Sequence, residues 1–318
     1  MRSAVLFALG LLALVAPAGA VNTVYLANDD HTDYGWNDTV ANYESAMLSE
    51  LDYYLGQIAA TAGNPAASQA RFNADGWYYA WLYQHQRGPA QFQALIDAMQ
   101  SGHVNVPLNP VVTLFGALPT EAAIRAGYWP GRLARQYGLD FRVGQDIENQ
   151  TNPWGLASIW AGSGVEFTWK GICGCATSAP YANRTDEVFR WQGPDGQQLL
   201  MKWYQLQNNA SWGGYAEARN NLSQPAIQST ITHFTTRPPF APVVGLFGGG
   251  WDDVSYQTTA FVDLAANWNA AHPGGDRVVV SNIADYFDAL QASGASLPSE
   301  RGGWGNDWDL WPTALAER

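Results

Sequence analysis

The sequence predicts an α/β fold, a (β/α)7-type distorted barrel of parallel strands with an antiparallel hairpin insertion. Short apolar runs that end in polar or glycine-rich clusters alternate with segments of helical period, the rhythm of a parallel sheet covered by helices. About seven such runs in one chain suit a closed or nearly closed barrel better than an open doubly wound sheet. The segment FRWQGPDGQQLLMKWY, Phe189 to Tyr204, departs from that rhythm. Its two strand patterns around a Pro-Asp-Gly turn read as an antiparallel hairpin decorating the main sheet.

The elements follow in order. Val21 to Asn28 (VNTVYLAN) is the first strand, and Glu44 to Ala60, apolar at helical spacing, is the first helix. Arg71 to Asp75 and His103 to Val106 are strands separated by a helix around Pro89 to Met99. In LPTE, Thr120 reads as the N-cap of a helix that runs to about Tyr137. Phe141 to Gly144 is then a strand, Ala157 to Gly162 closes a helix, and Val165 to Trp169 is a strand again. Pro242 to Phe247 and Arg277 to Val280 add two more strands. No repeat, low-complexity tract or linker divides residues 21 to 318, which are expected to form one domain.

Charge and composition narrow the function classes. Sixteen Lys plus Arg against twenty-eight Asp plus Glu give a net charge of −12, which repels phosphate backbones and argues against a nucleic-acid partner. Charged residues reach 14%, below the roughly 25% of ordinary domains, while aromatics make up 13%, with fifteen Trp and fifteen Tyr. That balance fits a large core with aromatic surfaces in a cleft and excludes disorder. Met1-Arg2, the apolar run Ala4 to Val15 and Ala18-Gly19-Ala20 have the pattern of a secretory signal peptide, residues 1 to 20. The run is too short to span a bilayer, so the expectation is a secreted or periplasmic protein with no membrane span. Loss of Arg2 leaves fifteen basic and twenty-eight acidic residues, a charge of −13. Cys173 and Cys175 in one C-G-C form either a strained bridge or free thiols, and two cysteines alone build no zinc site.

In an α/β barrel the chemistry sits where strands end, and here those ends are rich in carboxylates. The first strand runs into Asp29-Asp30-His31-Thr32-Asp33-Tyr34-Gly35-Trp36, the second ends at Asp75-Gly76-Trp77, the fourth at Gln145-Asp146-Ile147-Glu148, and a late one at Gly248-Gly249-Gly250-Trp251-Asp252-Asp253. His31 and Asp33 are two apart, so in extended backbone both point to one side, where an imidazole and a carboxylate meet one cation. The glycine run lacks the Lys-Ser or Lys-Thr of a phosphate loop, and no G-x-S-x-G elbow is present.

HTDYGW resembles the zinc-binding H-x-D-x-G-W element of glycoside hydrolase family 38, the retaining α-mannosidases. LPTEAAIR, GLDFRVGQDIE, GGWDDVSY and the closing GGWGNDWDLWP follow in the order expected for a divergent bacterial branch of that family. The resemblance spans roughly residues 23 to 311 and implies a catalytic β/α barrel domain over 21 to 318, without the family's C-terminal helical and β domains. It implies zinc ligands at His31, Asp33 and Asp146, with Asp146 also the nucleophile, and a general acid/base at Asp253 or Asp252. It further implies sugar contacts at Trp36, with Trp77, Trp251, Tyr256 and Asp75 as further substrate-binding candidates. Asp146 directly ends its strand. An alternative register places Asn152, in Asn152-Pro153-Trp154-Gly155, at the nucleophile position, where an amide could not attack. No histidine matches the family's fourth ligand. The implied activity is hydrolysis of α-mannosides or related α-linked sugars, with a carbohydrate as partner. Two other readings are a metal-dependent carbohydrate deacetylase, which wants an H-x-x-x-H pair that is absent, and a non-catalytic carbohydrate-binding protein.

Overall fold

β-branched and aromatic residues favour extended backbone, and Thr23–Ala27 forms β1. The Thr39 hydroxyl accepts the Asn42 N–H and caps α1 (Val40–Thr61), which therefore starts ahead of the expected Glu44. Next come β2 (Phe72–Asn73), α2 (Tyr78–Gln86), α3 (Pro89–Gln100), β3 (Val104–Asn105), α4 (Thr120–Arg125), α5 (Tyr128–Tyr137), β4 (Val143–Gln145) and α6 (Trp154–Gly162). The second half holds β5 (Phe167–Ile172), β6 (Glu187–Gln192), β7 (Gln198–Gln205), α7 (Glu217–Asn220), α8 (Gln224–Thr235), β8 (Val243–Phe247), α9 (Ala260–Ala271), β9 (Arg277–Val280), α10 (Ile283–Ala292) and β10 (Ser299–Arg301). This computed structural model describes residues 21–304 apart from 30, 33, 36–37, 146, 148–150, 173–186, 206–215, 236–241 and 250–256.

The helix expected from Thr120 to Tyr137 is two helices. Pro119 occupies the N-cap, so Thr120 is the first helical residue and caps nothing. Pro130 in the first turn of α5 has no N–H to offer the Ala126 carbonyl, and the Trp77 indole N–H takes that carbonyl instead, at 2.9 Å.

All strand pairs are parallel except β6 with β7. β1 lies between β8 and β9, β2 pairs with β3, and the remaining strands run in the order β10-β6-β7-β5-β4. An Asp29–Asn73 bridge links the end of β1 to β2, and the Leu108 N–H donates to Val143 O (2.8 Å), tying the segment after β3 to β4. Among the described residues no ladder joins β7 to β8, so the sheets do not close into a ring. The α/β class with parallel strands holds. The hairpin is antiparallel as expected, with Gly196 at φ +87° in its turn. It is not a decoration, however: β7 pairs with β5 over six residues, and β6 in turn recruits β10. The physical reason is that Met201, Lys202 and Trp203 are all buried, so β7 has no wet face.

Register assigns the faces. Val143, Phe167 and Leu200 are mutual partners, as are Gln145, Trp169 and Lys202 two residues on, so all six project to one side. There the apolar members share a core with Val24, Leu26, Val244, Leu246 and Val280. The other face presents Met201, Trp203, Phe189 and Trp191 toward Trp160 of α6. Gly144 lies on that side, where a Cβ would come within 2.7 Å of the Trp160 ring. Trp304 packs on the same face, with ring centroids 5.1 to 5.7 Å from Trp191, Trp203 and Phe189.

One buried acid makes stability pH-dependent. Glu50 on α1 has no exposed surface, and burial pushes its carboxyl from 4.5 up to about 8, only partly offset by Gln257. A carboxyl protonated in the folded chain but ionised in the unfolded one stabilises fully below about 4.5 and progressively less up to about 8. Glu50→Gln is therefore expected to raise the melting temperature more at pH 8 than at pH 5. Equal shifts at both values would show that Glu50 is already ionised in the folded chain.

Candidate functional site

The carboxyl ends of β1, β2, β4 and β8 meet in a buried polar cluster. Each end is a polar residue that directly follows apolar strand residues: Asn28 and Asp29, Asn73 and Asp75, Gln145, and the Gly248-Gly249 pair. Asn73 joins two of them, donating from both its backbone N–H and its side-chain amide to Asn28 O. Its Oδ1 accepts the Ile283 N–H and so seats the start of α10. Asn109 plays the same part between β2 and β4: its amide donates to Asp75 O, and its Oδ1 accepts the Gln145 N–H at 2.7 Å.

At the centre stand Asp75 and Asp29, 0% and 2% exposed. Asp75 Oδ2 accepts the Thr32 N–H at 2.8 Å, and its Oδ1 accepts from Gln145 Nε2 at 2.7 Å. The second N–H of the same amide reaches Asp29 Oδ2 at 3.3 Å, and Asp29 Oδ1 accepts the Gly249 N–H at 2.7 Å. Gly249 is required there, since a Cβ would stand 2.4 Å from Asp29 O, a close approach of two backbones. Burial pushes the Asp29 carboxyl up to about 7, against the opposing pull of the Gly249 N–H and the charge of His31.

His31 is itself buried, at 3% exposure. The following Thr32 is fixed twice, by Asp75 and by a hydroxyl contact with Tyr79 at the start of α2. Trp77 is half-buried, its ring centroid 5.2 Å from that of Trp129. Tyr34 meets Tyr78 edge-on at 5.5 Å, and Tyr78 donates to Glu44 at 2.6 Å, so the loop after β1 rests on α1 and α2.

Beside this cluster, Lys202 and Trp169 share the layer of Gln145. The Lys202 ammonium is fully buried, bonds to Glu217, and lies 4.5 Å from the Phe247 ring centroid. Glu217 also accepts the Phe247 N–H at 3.0 Å. A carboxylate from α7 thus takes a backbone donor of β8 that a paired β7 would otherwise serve.

Of the residues expected at the site, His31, Asp75 and Trp77 are described. Asp33, Asp146, Asp252, Asp253, Trp36, Trp251 and Tyr256 lie outside the described residues, as do Cys173 and Cys175. Among the described residues no three His, Cys, Asp or Glu side chains gather around a metal-sized space. Asn152 is fully buried in an antiparallel bridge to Trp304. Sequence reading passed over Asp29, Asn73, Asn109, Gln145, Lys202 and Glu217. The signal that could have found the first four is a polar residue directly after a run of apolar strand residues, where no solvent explains it.

A search of solved structures finds an α-mannosidase from Enterococcus faecalis V583 with TM-score 0.66 and 16% identity, over 89% of this chain and 30% of that one. A glycosyl hydrolase family 38 protein from Enterococcus faecalis matches with TM-score 0.57 and 17% identity, over 90% and 29%. The chain shares its fold with the matched parts of these two proteins. A more distant neighbour is a GH57-type branching enzyme from Pyrococcus horikoshii, with TM-score 0.51, 8% identity and coverage of 92% and 74%. The chain thus spans about 30% of the length of the two Enterococcus proteins. No protein-family model and no curated protein sequence matches it.

Proposed function

We propose that the chain is an exported, zinc-dependent retaining glycoside hydrolase resembling family 38, acting on α-mannosides or related α-linked sugars. The observation that carries this reading is the Asp75 carboxylate, whose two oxygens hold Thr32 and Gln145. Thr32 lies between His31 and Asp33, and Gln145 immediately precedes Asp146. One buried group therefore holds Thr32 and Gln145, sequence neighbours of the three proposed ligands, an imidazole and two carboxylates, a donor set that suits zinc. Export rests on residues 1–20, whose expected cleavage point lies two residues before β1. No helix among the described residues is long and apolar enough to cross a membrane.

Zinc at this site would keep Asp146 ionised and hold vicinal ring hydroxyls. Asp146 then attacks the anomeric carbon while the glycosidic C–O bond breaks, and Asp253 gives its proton to the leaving oxygen. In the second half, water attacks the same carbon, Asp253 takes the water's proton, and the bond to Asp146 breaks, with overall retention. The two carboxyls need a separation of about 5 to 5.5 Å. Asp252 beside Asp253 favours the protonated acid by like-charge repulsion. Trp36 and Trp251 offer flat faces to the sugar, with Trp77, Tyr256 and Asp75 around them.

The test is metal content and turnover of the purified chain. About one zinc per chain is expected, with hydrolysis of aryl α-mannosides that a chelator abolishes and zinc restores, and an α-anomer as first product. A chain that holds no stoichiometric zinc and leaves these substrates untouched, with or without added divalent metals, overturns the reading.

A further inference from the structure

Asp29 belongs to none of the catalytic or ligand positions proposed above, yet it meets three other strand ends, one through its backbone and two through its carboxyl. It follows β1, bridges to Asn73 of β2, accepts from Gln145 at the end of β4, and accepts the Gly249 N–H after β8. Gln145 immediately precedes Asp146, and Gly249 lies shortly before Asp252 and Asp253. The two segments that carry the proposed nucleophile and the proposed acid/base are thus both anchored on a single buried carboxylate.

We infer that Asp29 is a positioning residue that fixes the acid/base segment relative to the nucleophile strand; the inference rests on the glycosidase reading above. The Gln145 amide has two N–H groups, one for Asp29 and one for Asp75. The nucleophile side is consequently held twice, whereas among the described contacts Gly249 itself is held by Asp29 Oδ1, the preceding Gly248 being fixed by its N–H to Ala27 O and by the Arg219 N–H to its carbonyl. Loss of the Asp29 carboxylate should therefore displace the acid/base more than the nucleophile. Asp29→Asn keeps an oxygen for the Gly249 N–H and gives up the long Gln145 contact, while Asp75 still holds the Gln145 amide.

Leaving-group dependence reads this directly, because a poor leaving group needs the acid's proton and a dinitrophenolate does not. In Asp29→Ala, kcat for an alkyl or disaccharide α-mannoside is expected to fall about 100-fold, the scale of general-acid catalysis, and for a dinitrophenyl α-mannoside only about 5-fold. KM should change little for either. Asp29→Asn is expected to recover most of the loss on the poor leaving group. Equal losses on both substrates, or an Asn variant as selective as Ala, overturn the inference, since a general structural defect lowers both rates alike. Should Asp29→Ala not fold, Asp29→Ser is read by the same ratio. A wild-type chain inactive on both substrates defeats the glycosidase reading itself and is told apart by that control.

Discussion

Asp146→Asn is expected to abolish turnover, with kcat falling by about four orders of magnitude or more, because an amide can neither form the glycosyl-enzyme bond nor supply negative charge to a metal. Zinc content should fall with it, while sugar binding persists on the aromatic surfaces. The companion variant is Asn152→Asp. If Asn152 held the nucleophile position, the wild type would be inert and the new carboxylate would create activity. No gain is expected: Asn152 is fully buried and bridged to Trp304, so an ionised group there is desolvated and lowers stability. Steady-state rates on an aryl α-mannoside with melting curves for both variants decide it. Full activity in Asp146→Asn would remove Asp146 from the nucleophile role, and a gain in Asn152→Asp over an inert wild type would move that role to the other register.

The largest stability effect is expected at Lys202. Lys202→Met leaves the Glu217 carboxylate buried against Phe247 without its ammonium, and breaking a buried pair from one side typically costs about 3 to 5 kcal/mol. At about 2 to 4 °C per kcal/mol for large domains, the melting temperature should drop by about 6 to 20 °C. Replacing both partners, Lys202→Met with Glu217→Leu, removes the stranded charge and should recover part of the loss. Recovery stays incomplete because the Phe247 N–H then has no acceptor from α7. A single variant that melts like the wild type would mean that water reaches this layer and screens the pair.

How far these features were legible in the sequence depends on whether local pattern or distant packing set them. β9 was readable because RVVV is apolar and β-branched between polar neighbours, and its observed span is Arg277–Val280. The strand pattern of Gln198 to Tyr204 was readable too, but not its place in the sheet. Pairing with β5 is decided by residues more than 25 positions away, and a strand buried on both faces looks locally like one strand of a hairpin. The helix break near Ala126 has a local signal in Pro130, but the acceptor that Pro130 leaves open is served by Trp77, an indole from another element. At the site, carboxylates and His31 stood out as chemical types. Asn73, Asn109 and Gln145 did not, since amides seldom do chemistry themselves. Their importance comes from zero or near-zero exposure, a property of the folded chain.

The position of β1 between β8 and β9 also sets the order in which the chain is completed during synthesis. Thr23 pairs with Val243 and Arg277, so both edges of the first strand wait for the last third of the polypeptide. At about 5 to 20 residues per second that wait is on the order of ten to forty seconds. Throughout it, TVYLA remains an apolar strand with two bare edges, a template for pairing with other nascent chains. A ribosome-bound chain halted before Val243 should therefore depend on a chaperone that holds this segment, and that dependence should vanish once residue 280 has emerged.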